Sequence, residues 1–196
     1  MQCQPIGILL AAGRGRRMGC VKQLLPWPKA NITTTLVEAA FDSIADVCQA
    51  MVVVAGSDSD AIQQALLPRQ FTLATSDSDA EMIDSLRQGL TTAQTIDPAA
   101  PILLQLGDHP HVAQSTCESM CREFETNPSQ VIIPEYQGRG GHPILMPADV
   151  SRMIMQTDMQ GGLRNFWRNN VSICRRIRVD DPTVVQDLDT PEDYEG

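Results

Sequence analysis

The sequence predicts an α/β fold with a largely parallel sheet. Two observations predict it. Short apolar runs alternate with helical patterns along most of the chain. The 196 residues carry no linker-like stretch, low-complexity segment or internal repeat, so they read as one domain with a proper core. In order, 6–10 (IGILL) reads as a buried strand and 34–45 as a helix. Residues 50–55 (AMVVVA) follow as a strand, 58–67 as a helix and 71–74 as a further short strand. Then come a helix over 81–93, a strand over 102–106 (ILLQL), a helix over 114–125 and a strand over 131–134. The last third changes character. Residues 138–147 (GRGGHPILMP) read as a turn and a short strand, 148–156 and 161–168 as helices, and 172–179 as a strand. In such folds ligands bind outside the carboxyl ends of the strands.

The formal net charge of −9 argues against a nucleic-acid partner, because a phosphate backbone needs a broad basic face. No apolar run is long enough to span a bilayer, and MQCQPIG lacks the pattern of a signal peptide, so a cytoplasmic location without membrane contact is expected. The six cysteines (Cys3, Cys20, Cys48, Cys117, Cys121 and Cys174) include no C-x-x-C pair and read as reduced thiols. Cys117 and Cys121 stand one helical turn apart, but no further ligand follows at metal spacing.

The most informative stretch is 6–22, IGILLAAGRGRRMGCVK. A buried strand empties into a loop holding Gly13, Gly15 and Gly19, which admit close ligand approach. Arg14, Arg16, Arg17 and Lys22 add positive charge in an acidic chain, and Lys22 is one of two lysines. The pattern suits phosphate held against backbone N–H groups, and equally a strand-to-helix turn with a basic rim. Its spacing, G-x-G-x-x-x-G, is that of neither a dinucleotide fold nor a P-loop, since Gln23 follows Lys22.

After the strand ILLQL comes GDHPHV. Gly107 permits a tight turn, and Asp108 falls at the carboxyl edge shared with the glycine loop. There it can serve as a turn residue or cap. It can also hold Mg²⁺, a hard cation bound by one or two carboxylates plus phosphates. Near the end, Asp187, Asp189 and Thr190 precede Pro191, Glu192 and Asp193, a pattern that starts a helix and offers a second carboxylate. If the segment is extended, Asp187 and Asp189 point to opposite faces, so only one reaches the site. His109 and His111 lack a further ligand at zinc spacing. His142, in GGHP, is either substrate-facing or a turn residue.

Five segments together resemble the MobA-like nucleotidyltransferases, and within them the molybdenum cofactor cytidylyltransferases. They are LAAGRGRRMG with Lys22 and LLPW (9–27), SLRQGL (85–90), GDHPHV (107–112), GHPILM (141–146) and DLDTPEDY (187–194). The resemblance implies a Rossmann-like, three-layer α/β/α nucleotidyltransferase fold with a mostly parallel mixed sheet. It implies a single domain over 1–196, with a nucleotide-binding part over about 1–112 and an acceptor-binding part over about 113–196. The implied reaction moves CMP from CTP to the phosphate of molybdopterin and releases pyrophosphate, with Mg²⁺ as cofactor.

By the same resemblance, Leu10, Ala11, Ala12, Gly13, Arg14, Gly15, Arg17, Lys22, Ser85 and Asp108 contact the nucleotide. LAAG rather than LAGG favours cytosine over guanine. Lys22, Arg17 and Asp108 are the expected catalytic residues, Asp108 and Asp189 the metal ligands, and Gly141, His142 and Pro143 the acceptor contacts. Transient contact with a molybdoenzyme or a cofactor chaperone accompanies that role. The chain departs from the family at Ala80–Glu81, where a glycine is usual, at His109, and at Arg16, where a serine is common. The alternatives are a transferase acting on a sugar or polyol phosphate, a GTP-using guanylyltransferase, and a non-catalytic chaperone that delivers molybdopterin.

Overall fold

A computed structural model of the chain describes residues 3–13, 21–29, 32–77, 81–159, 161–186 and 188. The chain opens with β1 (Ile6–Leu10), and a hairpin of β2 (Pro26–Lys29) and β3 (Ile32–Thr35) precedes α1 (Leu36–Ala45). Next come β4 (Ala50–Ala55), α2 (Ser59–Leu66), β5 (Thr72–Thr75), α3 (Met82–Ile96) and β6 (Ile102–Leu106). The second half holds α4 (Gln114–Thr126), β7 (Val131–Tyr136), β8 (Arg139–Gly140), β9 (Ile144–Met146), α5 (Ala148–Gln156), α6 (Gly162–Asn169) and β10 (Cys174–Arg178).

The main sheet runs β10-β7-β9-β6-β1-β4-β5, with β8 paired to β7. β1 lies parallel to both β4 and β6, β4 to β5, and β7 to β10. β9 enters antiparallel between β6 and β7, and β8 is antiparallel to β7. Side chains alternate across the strands, so each face of the sheet receives its own core. Ile6 and Ile8 of β1 pack on one face with Leu86 and Leu90 of α3, Ile154 of α5 and Phe166 of α6. Leu9 packs on the other with Phe41 of α1, Ile62 of α2, and Met120 and Phe124 of α4. Among the described residues three helices cover each face, giving the expected three layers.

Local signals explain the element ends. Thr35 caps α1 by accepting from Glu38 N, while the Glu38 carboxylate accepts from Thr35 N at 2.8 Å, a reciprocal capping box. The β2–β3 hairpin was not among the expected elements, because Pro26 and Pro28 read against a strand. It forms as a separate two-stranded ribbon, where proline need not donate to a central ladder. Phe71 falls outside β5, which spans Thr72–Thr75, and β10 starts at Cys174 after a 3-10 turn over Val171–Ile173. No helix among the described residues is long and apolar enough to cross a membrane.

The strand order positions the site. After β1 the chain adds β4 and β5 on one side, then crosses back to lay β6 on the other. The carboxyl ends of β1 and β6 therefore meet where strand order reverses, the place where open α/β sheets bind ligands.

Candidate active site

The ladder runs past the strand ends at this point. Ala11 N donates to Val54 O at 2.8 Å, and Gly107 N donates to Leu10 O at 2.9 Å. A Cβ at Gly107 would stand 3.0 Å from Leu10 O and 3.3 Å from Ala11 Cα. One at Gly56 would stand 3.3 Å from Ala12 O. The bare backbones of Gly107 and Gly56 thus pack directly against Ala11 and Ala12, and the chain becomes exposed at Gly13.

The basic loop follows Gly13 in the sequence. Arg14, Gly15, Arg16, Arg17 and Gly19 lie outside the described residues. The chain returns through Val21 into a 3-10 turn, Lys22–Leu24, which buries Lys22 and Gln23. Gln23 Nε2 donates to Gly13 O at 2.8 Å and ties the two ends of the loop together. Lys22 Nζ donates to Asp108 Oδ2 at 3.0 Å, bridging 86 positions of sequence. Lys22 is 8% exposed, whereas the Asp108 side chain is 29% exposed. A buried cation is tolerable because the carboxylate pairs with it, and the carboxylate keeps a solvent-facing side.

Beyond Asp108 the loop is held from below. Gln105, buried within β6, donates from Nε2 to His109 O at 3.2 Å and accepts from Leu106 N. The His109 ring is 2% exposed and meets His142 edge-on, with centroids 5.5 Å apart. The GHP segment thereby comes against the loop that carries Asp108. Gly141 N donates to Pro134 O at 2.9 Å and His142 N to Val184 O at 2.8 Å. A Cβ on Gly141 would fall 1.9 Å from Val184 O, so only glycine fits there. The His142–Pro143 peptide is cis.

His111 stacks on Trp27 of β2, with centroids 5.3 Å apart and planes 24° from parallel. Burial, then the neighbouring His109, lowers its pKa, against a weaker upward pull from Asp181. Asp181 is itself a clasp. Its Oδ2 accepts from Ala113 N at 3.0 Å and from Thr116 Oγ1 at 2.8 Å, and its Oδ1 from Thr183 N at 3.0 Å. Burial would raise its pKa, but the hydrogen bonds from Thr183, Ala113 and Thr116 outweigh that and hold it low.

The structure brings Leu10, Ala11, Ala12, Gly13, Lys22 and Asp108 to one edge, with Gly141, His142 and Pro143 alongside through His109. Ser85 lies in the first turn of α3, which packs on β1 and β4. Its buried hydroxyl shares a 3.0 Å hydrogen bond with Ser76 Oγ, and Ser76 N donates to Ala55 O at the carboxyl end of β4. Asp187 and Asp189 lie outside the described residues. Gln23, Trp27, Gln105 and Asp181 were not foreseen as site residues. The available signals were the polar residue inside ILLQL and the Asp-Pro turn at 181–182.

Among the described residues no three His, Cys, Asp or Glu side chains gather to hold a metal. Mg²⁺ needs only one or two carboxylates beside substrate phosphates and water, and the part-exposed Asp108 carboxylate meets that requirement.

A mostly parallel sheet between two helical layers, with a lysine–aspartate pair at the strand-order reversal, has the form of an α/β nucleotidyltransferase. The chain belongs to the MobA-like NTP transferase domain family, whose pattern matches residues 7–174. It is related to the molybdenum cofactor cytidylyltransferase of Escherichia coli (strain K12), 24% identical over 95% of this chain and 92% of that one. Nicotine blue oxidoreductase of Paenarthrobacter nicotinovorans is 28% identical over the same shares. Among solved structures, Rv0371c of Mycobacterium tuberculosis H37Rv is 27% identical and covers 98% of this chain and 96% of its own, with a TM-score of 0.83. The structure of Rv0371c in complex with manganese gives a TM-score of 0.75 over the same shares.

Proposed function

We propose that this nucleotidyltransferase moves CMP from CTP to the phosphate of molybdopterin, with Mg²⁺, and releases pyrophosphate. The observation that carries the reading is the 3.0 Å pair of Lys22 and Asp108, delivered by two loops to the crevice between β1 and β6. An acceptor phosphate oxygen is already ionised near neutral pH, so the transfer needs no general base. What remains is positioning and charge stabilisation. The backbone of Ala11 to Gly13 reads the base, and Ser85 lies toward the ribose. Arg17 clamps the β- and γ-phosphates through its fork of donors. Lys22, a compact charge, meets the α-phosphate as negative charge develops there.

Asp108 and Asp189 are the carboxylates that would hold Mg²⁺, which when bound neutralises charge on the reacting phosphates. The manganese complex of Rv0371c supports a divalent ion in this fold. Gly141, His142 and Pro143 face the acceptor, so residues up to about 112 serve the nucleotide and the rest the acceptor. The cytidylyltransferase relative supports CTP and the pterin acceptor.

One fold hosts more than one chemistry, and nicotine blue oxidoreductase carries the name of a redox enzyme. The glycine spacing in 13–19 is not that of a dinucleotide fingerprint, which favours nucleotidyl transfer here. Thermal melting with CTP, GTP, ATP or UTP in Mg²⁺ tests the base preference, because a ligand of the native state raises its stability. CTP at about a hundred times its Kd should raise Tm by roughly 5–10 °C. A larger shift with GTP would make this a guanylyltransferase.

A further inference from the structure

The opposite edge of the sheet, at the amino ends of β1 and β4, carries thiols that the transfer reaction does not use. A cavity of about 360 Å³ is lined there by Cys3, Cys48 and Cys121, with Glu118, Arg122 and Glu125 around them. Cys3 N donates to Glu125 Oε1 at 2.8 Å. Glu125 lies one helical turn beyond Cys121 on α4, so this bond holds Cys3 over Cys121. The two thiols face the same cavity, and each shifts the other's ionisation. The other two thiols of the seam are otherwise engaged. Cys48 Sγ sits beneath β1, within 2.9 Å of where a Cβ on Gly7 would be. Cys117 is buried and donates to Ser43 O at 3.6 Å.

We propose that Cys3 and Cys121 are a redox-responsive dithiol, a modification site that a small-molecule disulfide converts into an intramolecular disulfide joining the segment before β1 to α4. Cys121 is the attacking sulfur. The neighbouring Cys3 thiol lowers its pKa, whereas Cys121, then burial, raises that of Cys3. Burial, then the nearby Cys117, raises Cys48, and burial, then Cys121, pushes Cys117 up to about 12. Those two thiols stay protonated and inert.

The steps balance. The Cys121 thiolate attacks one sulfur of the small disulfide, forms a mixed disulfide and expels one small thiolate. Cys3 gives its proton to that thiolate and attacks the Cys121 sulfur. The Cys3–Cys121 bond forms as the second small thiolate leaves, which then takes up the proton lost when Cys121 ionised. Two protein thiols are oxidised, and one small disulfide is reduced to two thiols.

The test treats the reduced full-length chain with glutathione disulfide at neutral pH and maps it by mass spectrometry without reduction. The expected product is the protein less two hydrogens, with one peptide pair linking Cys3 to Cys121. Cys3→Ser should instead retain glutathione on Cys121, and Cys48→Ser should form the same link as the unmodified chain. A link through Cys48 or Cys117 overturns the proposal. So does a stable glutathione adduct on the unsubstituted chain, or no reaction. The unsubstituted chain decides the matter by itself if a variant does not fold.

Discussion

The strands β1, β4, β5 and β6 and the strands β7 to β10 differ in direction and in how the segments around them are held. The first group are parallel neighbours, and Ile6, Ile8, Leu9, Val52, Val53, Val54, Leu103 and Leu104 are fully buried within them. In β1, β4 and β6 burial on both faces fixes the register. In the second group, β9 reverses direction, β8 has two residues, and β10 exposes Arg175, Arg176 and Arg178 on the sheet edge. Val131 and Ile132 of β7 and Leu145 and Met146 of β9 are as fully buried, but the segments around them are located by particular contacts: Gly141 against Val184, and Asp181 reaching Ala113, Thr116 and Thr183. A half secured by burial can spend its loop ends on charge and chemistry. A segment secured by single contacts is where a substitution moves whatever it positions.

Substitutions on the two halves should therefore separate activity from stability. The largest effect is expected at the edge of the first half. Asp108→Asn keeps an acceptor for Lys22 but loses the charge, and Lys22→Ala leaves Asp108 facing solvent. Each should lower the rate of pyrophosphate release by about 10²–10³. Lys22→Ala should keep Tm near that of the unsubstituted chain, whereas Asp108→Asn should also lower Tm, because it leaves the buried Lys22 without its counter-charge. A matching collapse of Tm in Lys22→Ala would make the pair structural and erase the contrast. Next comes Gly141→Ala, whose methyl would sit 1.9 Å from Val184 O. It should cost about 2–3 kcal/mol in denaturant unfolding, where an unchanged midpoint would show that this contact locates nothing.

The smallest effect belongs to Asp181→Ala, at about 1–3 kcal/mol near neutral pH for the donors left unsatisfied. Its pH dependence has a definite sign. The carboxyl pKa is lowered in the folded state. Its contribution is therefore fully present above the unfolded value of about 3.9 and is lost as pH falls through the lower folded value. Urea midpoints of both proteins between pH 2 and 7 should converge at the acid end. A gap that stayed constant with pH would mean that charge plays no part.

The same contrast explains what was legible in the sequence. The strands of the first half announce themselves as apolar runs, and 6–10, 50–55 and 102–106 coincide with β1, β4 and β6. Lys22 and Asp108 were readable because a glycine loop and a Gly-Asp turn each follow such a run. That they pair at 3.0 Å was not, since it depends on β6 lying beside β1. The roles of Gln23, Gln105 and Asp181 were hidden for the same reason. A glutamine in a strand is legible, but the carbonyl it reaches is set by tertiary register. The β2–β3 hairpin was obscured by its own prolines, although its Trp27 ends on His111.

Nucleotidyl transfer to a phosphate acceptor is tested most directly by stoichiometric pyrophosphate release. The chain is supplied with Mg²⁺, CTP or GTP, and molybdopterin, with acceptor-free and sugar-phosphate controls. The account predicts one pyrophosphate per acceptor consumed, dependent on molybdopterin and faster with CTP than with GTP. Tight pterin binding with no pyrophosphate from any nucleotide and acceptor would contradict it and leave a carrier of the cofactor in place of a transferase.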